Sequence, residues 1–513
     1  MRRLANLALI CAVTVVTHAQ VDGLGETEFP NSGAEEAQEP FLRGLLLLHS
    51  FEYEDAREAF AEARQIDKNF AMAYWGEAMT YNHPVWFTQN TDKAHAVLEE
   101  LGLSLSKRLL VAPTEREKDY FRAVDLLYYS DEDKKARDFN YMAFMERMVE
   151  KYPDDLDARA FYALSLIGCS HDGRDFTLYM KAAAAAEEVF ARNPKHPGAA
   201  HYLIHSYDDP IHAPLGLRAA RAYADIAPSA AHALHMPTHI FTALGMWDRV
   251  VEMNEASYQA SEERRIRRSL PISSRSYHAI HWKAYGLLQL SRFDDAAAAL
   301  RSVMVDHKAS GSRGRMAYSL ALMRAAHLID TEDWGGAFAD ITVDAKGLGL
   351  EARANHVFVN GLQALKQGDT DGASQHVKQL MDMEGKGKGR TVATILQHEL
   401  KSLLLLEEGN PEEAVKLLRK ATEIERAMPF DFGPPSPVKP SFELLGEVLI
   451  ELEDYKAAQE AFTEALARTP KRARALRGLI HAATGAKDLD TAQHATRELK
   501  EITASVRGAA MER

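Results

Sequence analysis

Cysteine is almost missing from this chain: two residues in 513, Cys11 and Cys169. With Cys11 inside an N-terminal apolar segment, no internal disulfide framework can hold the fold. Positive charge is also short, and the formal balance of −13 argues against a nucleic-acid binder, which would present a basic face. The short basic runs at 264–268 and 386–390 read as solvated helix-end and loop charge. Clusters of β-branched residues are few, and no apolar run beyond the N-terminus is long enough to cross a bilayer. What remains is rich in Ala, Leu, Glu, Lys and Arg, with 46% apolar residues, the composition of a helical protein. A chain of 513 residues exceeds one compact core, so several domains or a repeat array is expected.

Arg2 and Arg3 precede an apolar stretch from Leu4 to Val16, followed by Thr17-His18-Ala19. This is the pattern of a signal peptide over residues 1–19. It implies a periplasmic or secreted protein with no transmembrane segment after cleavage and one remaining cysteine. Residues 20–39 are acidic and contain glycine, and read as a flexible leader.

Repeats are the next signal. Between Lys439 and Arg472, the residues Phe442, Leu445, Gly446, Leu449, Ala458, Phe462, Ala465 and Pro470 fall on a spacing that resembles the tetratricopeptide repeat. Small residues let two antiparallel helices touch, large ones fill the seam, and proline stops the second helix. The same phase recurs at 37–70, 197–230, 231–264, 277–310, 354–387 and 395–428, with a last helix pair from Arg474 to Leu499. The expectation is an all-α, right-handed superhelical solenoid of about ten to twelve helix pairs. Insertions are expected to distort the third and fourth units. The array divides into a solenoid with a histidine-rich groove over 40–428, a Pro-rich segment at 429–440 and further repeats over 441–505. The Pro-rich segment reads as a rigid connector, with a loop capping the groove as the alternative.

The first helix of each unit should line the concave face. Counting from the first residues of three units, at 197, 231 and 277, His201, His235 and His281 share the fifth position. His205 and His239 share the ninth, and His232 and His278 the second. These positions face one side, so a compact cluster of imidazoles is expected on the inner wall. Neutral imidazole is the usual protein ligand of copper, iron and zinc. A lone groove histidine would merely bond a neighbour or line a peptide site; seven on three repeat positions point to a transition metal. Glu443, Glu447 and Glu399 occupy the fifth or ninth positions of late units. The first two are candidate catalytic bases facing the histidines across the bore, or ordinary groove charge. Asp208 and Asp209 are candidate ligands or supports of ligands. Cys169, beside His171, is a ligand, a nucleophile or a small buried apolar residue; His83 and Glu77 are weaker candidates.

The stretch His201-Tyr202-Leu203-Ile204-His205, followed by His232 and by His235-Met236-Pro237-Thr238-His239-Ile240, resembles an exported bacterial tetratricopeptide-repeat family. So do Ala73-Tyr74-Trp75-Gly76-Glu77-Ala78 and Phe432-Gly433-Pro434-Pro435 through Glu447. The resemblance implies the fold, and that these motifs form one unit; it carries no activity. Three functions follow. A metalloprotein would hold its ion with His201, His205, His235 and His239, while His232, His278 and His281 complete a second site or an outer shell. Two sets of three imidazoles suit a copper or iron pair acting on oxygen, and a single three-histidine ion suits zinc hydrolysis with Glu443 as base. A scaffold would instead bind a peptide or protein partner in the concave groove. Storage or delivery of a metal needs the same histidines without catalysis. Whether the chain is an enzyme stays open.

Overall fold

The computed structural model describes residues 21, 23–311, 314–430 and 432–509; the segment read as a signal peptide lies outside them. Nearly all of it is helix, arranged as successive antiparallel pairs in a right-handed superhelix. Inner helices are buried on every side because neighbours surround them: each residue of Ala71–Met79 and of Pro197–Tyr207 is buried. Outer helices are amphipathic. Pro411–Ala427 buries only Ala414, Leu418, Ala421, Thr422 and Glu425 and gives its other charges to solvent.

The repeat signature has a direct packing reason. A Cβ placed on Gly446 or Gly478 would meet the ring of Phe462 at 2.7 or 2.2 Å. One outer-helix phenylalanine thus sits over the glycines of its own inner helix and the next, which lets three helices close up. Start signals are local: Thr114 and Glu117 form a capping box, and Asp155 caps the next inner helix through the N–H of Ala158.

Distortion falls elsewhere than in the third and fourth units, which are the regular pairs Glu115–Tyr128 with Lys134–Lys151 and Leu156–Gly168 with Phe176–Arg192. In the second unit a two-stranded ribbon, Asn82–His83 against Thr88–Gln89, separates the helices. In the eighth, Arg315–Thr331 is followed by a stretch whose one helical turn is Ala345–Gly347.

The expected flexible leader is corrected. Leu24 and Phe29 are buried, Phe29 stacks on Trp75 at 5.8 Å, and the Glu26 N–H donates to the Lys195 carbonyl at 3.0 Å. Thr27 Oγ1 donates to Asp157 at 2.8 Å, so the segment is a strap across the inner helices. Successive turns also meet. Arg264 and Arg268 pair with Asp55, about 210 residues earlier, and Arg472 pairs with Asp330 at 2.7 Å. Among the described residues no helix is long and apolar enough to cross a membrane.

Candidate metal centre

His201 and His205 stand one turn apart on Pro197–Tyr207. His232 and His235 lie on Ala231–His235, and His239 on the next segment, Pro237–Ala243. Pro237 divides this inner helix, since it has no N–H for the Ala233 carbonyl and its ring crowds that turn. The rings of His235 and His239 still sit 5.2 Å apart. His278 and His281 lie on Tyr277–Gln289.

The structure sorts six of these histidines into two threes, each straddling a seam between units. His201, His205 and His232 form one, and His235, His239 and His278 the other, with one nitrogen per ring within 4.8 Å of the others. Each takes the fifth and ninth positions of one unit and the second of the next. The second-position histidine stands on the side of its helix that faces the preceding unit, and its ring meets that unit across the seam, His232 at 5.0 Å from His201 and His278 at 4.5 Å from His235. The expected grouping of His232, His278 and His281 as a separate site is thereby replaced. His281 joins neither three, because the corresponding partner positions hold Tyr285 and Met316; burial lowers its pKa to about 4.

The tautomers follow from the outer partners. His201 Nδ1 donates to the His49 carbonyl at 2.7 Å, an oxygen that can only accept. His235 Nδ1 donates to Asn254 Oδ1 at 2.6 Å, whose orientation is fixed because its Nδ2 donates to the Val250 carbonyl at 2.9 Å. His239 Nδ1 donates to Asp208 Oδ2 at 2.9 Å. The same carboxylate lies 3.6 Å from His205 Nδ1, so it bridges the two threes. Burial alone would raise the Asp208 pKa, but the Arg174 guanidinium beside it holds it far below the carboxylate range. Asp208 therefore orients the rings of the wall, and Asp209 accepts from His212 and Arg174.

With hydrogen on Nδ1 of His201, His235 and His239, the Nε2 lone pairs of these three turn inward. The Nε2 atoms of His201, His205, His232, His235 and His239 are all buried with no hydrogen-bond partner. Burial, reinforced by neighbouring imidazoles, pushes His201, His232 and His235 well below the ordinary 6.5. They are neutral at pH 7, the form that ligates metal. Three imidazoles on one ion place their nitrogens about 3.3–3.6 Å apart at a metal–nitrogen distance of about 2.0–2.1 Å, so each three need close only modestly. Aromatic rings fix the wall: Phe51 packs on His201 at 4.2 Å, and His239 lies between Trp282 at 4.8 Å and Phe432 at 4.7 Å.

Phe432 belongs to the Pro-rich segment, so the connector reading gives way to the alternative of a loop over the groove. Gly433 lies against Trp282, where a Cβ would come within 2.4 Å of the indole, and its φ of +98° favours glycine. Between this loop and the helices of His278 and Arg315 is a cavity of about 520 Å³.

The other candidates lie elsewhere or are occupied. Glu443 accepts from Lys439 at 3.0 Å and Arg472 at 2.8 Å; Glu447 accepts from Lys439 and Arg474, each at 2.6 Å. Burial would raise the Glu443 pKa, but Arg472 and Lys439 bring it down to about 2, too low for a general base. Among the described residues neither carboxylate belongs to an imidazole group. Glu399 is buried, its pKa raised by burial, and bonded to Ser441 at 2.8 Å. Burial pushes the Cys169 thiol up to about 12, which makes it an inert core residue. Glu77 pairs with Arg64 at 2.8 Å and His83 with the Thr80 carbonyl at 3.2 Å.

One cluster was not anticipated: His49, Asp157 and His196, all fully buried. His49 Nε2 donates to Asp157 at 2.9 Å and its Nδ1 accepts from Tyr202. His196 Nδ1 accepts from the Ala199 N–H, leaving Nε2 to face Asp157 at 3.4 Å. Both nitrogens of His49 and one of His196 are committed to the protein, while His196 Nε2, like the groove nitrogens, has no hydrogen-bond partner. No sequence signal foretold Asn254 or the His49 carbonyl, because neither shares the histidines' repeat positions.

The tetratricopeptide-repeat family pattern matches residues 398–428 and 440–472, so the chain carries such repeats. No curated protein matches the sequence. Similar solved structures include the anaphase-promoting-complex hetero-tetramer Cut9-Hcn1, at 12% identity over 93% of this chain and 75% of that one, TM-score 0.35. Yeast Tom70 aligns at 12% identity over 89% and 90%, TM-score 0.33. A human IFIT1 dimer with m7Gppp-AAAA aligns at 13% over 94% and 91%, TM-score 0.36.

Proposed function

We propose that this tetratricopeptide-repeat protein binds two transition-metal ions, one on His201, His205 and His232 and one on His235, His239 and His278, and is an oxidase that uses dioxygen. The observation that carries the reading is the set of five buried Nε2 atoms without a protein partner, in rings whose outer nitrogens are largely held by acceptors. Buried polar atoms are ordinarily paired, and five unpartnered imidazole nitrogens gathered on one wall suit a ligand that accepts lone pairs. The all-imidazole donor set favours copper, which binds nitrogen sites most tightly among the divalent ions of its row, over iron or zinc. When bound, such a pair supplies redox chemistry on dioxygen. The chain's own part is to hold the rings, through Asp208, Asn254 and the His49 carbonyl, and to limit water with Phe51, Trp282 and Phe432. Hydrolysis is less well supported, because the carboxylates that would serve as base are locked in ion pairs. The alternative, a scaffold for a peptide or protein partner, would use the rest of the concave groove, since the chain's own loop covers this part of it. We also read residues 1–19 as an export signal and the protein as periplasmic or secreted, on the sequence alone and with the resemblance to an exported family.

The test is elemental mass spectrometry of the full chain, exported and purified without a histidine tag, beside His201→Ala and His235→Ala. The expected result is two ions per wild-type chain and one in each variant, with helicity unchanged by circular dichroism. Oxygen uptake by the loaded protein then separates an oxidase from a hydrolase. Metal-free protein that takes up no copper, iron or zinc on titration overturns the proposal.

A further inference from the structure

The cavity beside the second imidazole group falls, at about 520 Å³, in the size range of sites for small organic molecules. Trp86, Trp282, Tyr285 and Tyr318 give it flat aromatic faces, and His278 opens into it. Its charged residues are Arg315, Lys388 and Glu351. Lys388 donates to Glu351 at 3.0 Å, so these two charges cancel. Arg315 is exposed, and among the described residues it has no carboxylate partner. Its charge reaches both His232 and His278, one member of each imidazole group. A guanidinium left without an anion in an aromatic recess offers the planar fork that a carboxylate accepts in two hydrogen bonds.

We infer that the substrate is a small aromatic carboxylate, its ring against the aromatic faces of this cavity and its carboxylate on Arg315. A carboxylate there neutralises the one uncompensated charge of the lining, and the ring is left beside His278 on the open side of the metal ligands. Aliphatic acids would satisfy Arg315 and leave the aromatic faces wet; neutral aromatics would do the reverse. The chemistry done on this substrate rests on the proposed function, whereas its binding does not, because the cavity and Arg315 are present without a metal.

The experiment is calorimetric titration of the full chain, chelator-treated and copper-loaded in parallel, with 4-hydroxybenzoate, its methyl ester and acetate. The acid is expected to bind at least about tenfold more tightly than the ester, the range of a charge-assisted hydrogen bond, and acetate more weakly than either. Arg315→Ala should bring the acid down to the level of the ester, Arg315→Lys should restore part of the difference, and Trp86→Leu should weaken acid and ester alike. Equal affinity for acid and ester, an acid unaffected by Arg315→Ala, or no saturable binding of either compound overturns the inference. The chelated protein gives this answer even if no metal binds, and a failure here leaves the metal count untouched.

Discussion

The histidine wall and the charge cluster of the last repeats use the same positions of the same repeat to opposite ends. His201, His205, His235 and His239 occupy the fifth and ninth places of their units, as Glu443 and Glu447 do in theirs. Around the glutamates every charge is met: Lys439, Arg472 and Arg474 donate to them, and Arg472 also reaches Asp330 and Tyr285. Around the histidines the outer nitrogens of His201, His235 and His239 are met and the inner ones are not. Glu443 is buried as completely as the histidines, while Glu447 is partly exposed, so burial alone does not distinguish the two places. The unused valence does, and it separates groups that hold the superhelix closed from groups arranged to receive a ligand.

The largest effect that should break this contrast is in the charge cluster. Arg472→Leu leaves Glu443 and Asp330 buried without their shared cation, and unfolding in urea should show a loss of about 3–5 kcal/mol. Copper content per folded chain should stay at the wild-type value. A variant of unchanged stability would mean that the cluster, too, has slack, and the contrast would fail.

Acid should separate the regions next. Burial lowers His281 to about 4, and burial chiefly lowers His49 to about 4, against an ordinary 6.5. The unfolded chain then binds more protons than the folded one between these values, so stability of the metal-free protein falls as pH drops from about 6.5 to 4. Each group contributes at most about 1.4 kcal/mol per pH unit. His281→Asn, at a residue that belongs to neither imidazole group, should flatten the pH dependence of the melting temperature in that window. An unchanged slope would show that His281 titrates normally.

Asp208 sharpens the comparison within the histidine wall. It holds His239, approaches His205, and is itself held ionised by Arg174. Asp208→Asn keeps the volume and removes the charge, and competitive chelator titration should show metal affinity lower by about 10–100-fold, the usual consequence of losing an outer partner. Both ions should weaken, since one carboxylate serves a ring from each group. Weakening confined to one would assign it to that group alone.

Much of this was legible in the sequence. The solenoid followed from the phase of Gly446, Ala458 and Phe462, and the wall from histidines repeating at equal positions. The division into two threes was not legible, because it depends on His232 and His278 facing the preceding unit across a seam, and a linear count carries no such direction. The leader misled because Leu24 and Phe29 are two anchors in a segment whose average is acidic and small. Glu443 and Glu447 looked available because their partners Lys439 and Arg472 stand at the two ends of the unit and Arg474 beyond it, none on the positions that marked the glutamates. Backbone acceptors such as the His49 carbonyl have no letter in the sequence at all.

The smallest effect concerns the loop between the two regions. Gly433 has a φ of +98° and touches Trp282, so Gly433→Ala asks alanine to adopt a strained backbone and displace an indole. The strain of about 1–2 kcal/mol is most easily relieved by lifting the loop, because Phe432 is stacked on His239 rather than threaded through the core. Global unfolding should therefore change by less than about 0.5 kcal/mol, while amide exchange in 432–438 speeds up and bound copper exchanges faster with a chelator. The number of ions per chain should not change, since no ligand is on this segment. A large global loss with unchanged amide exchange would mean that the loop is part of the folded core and not a cover over the imidazoles.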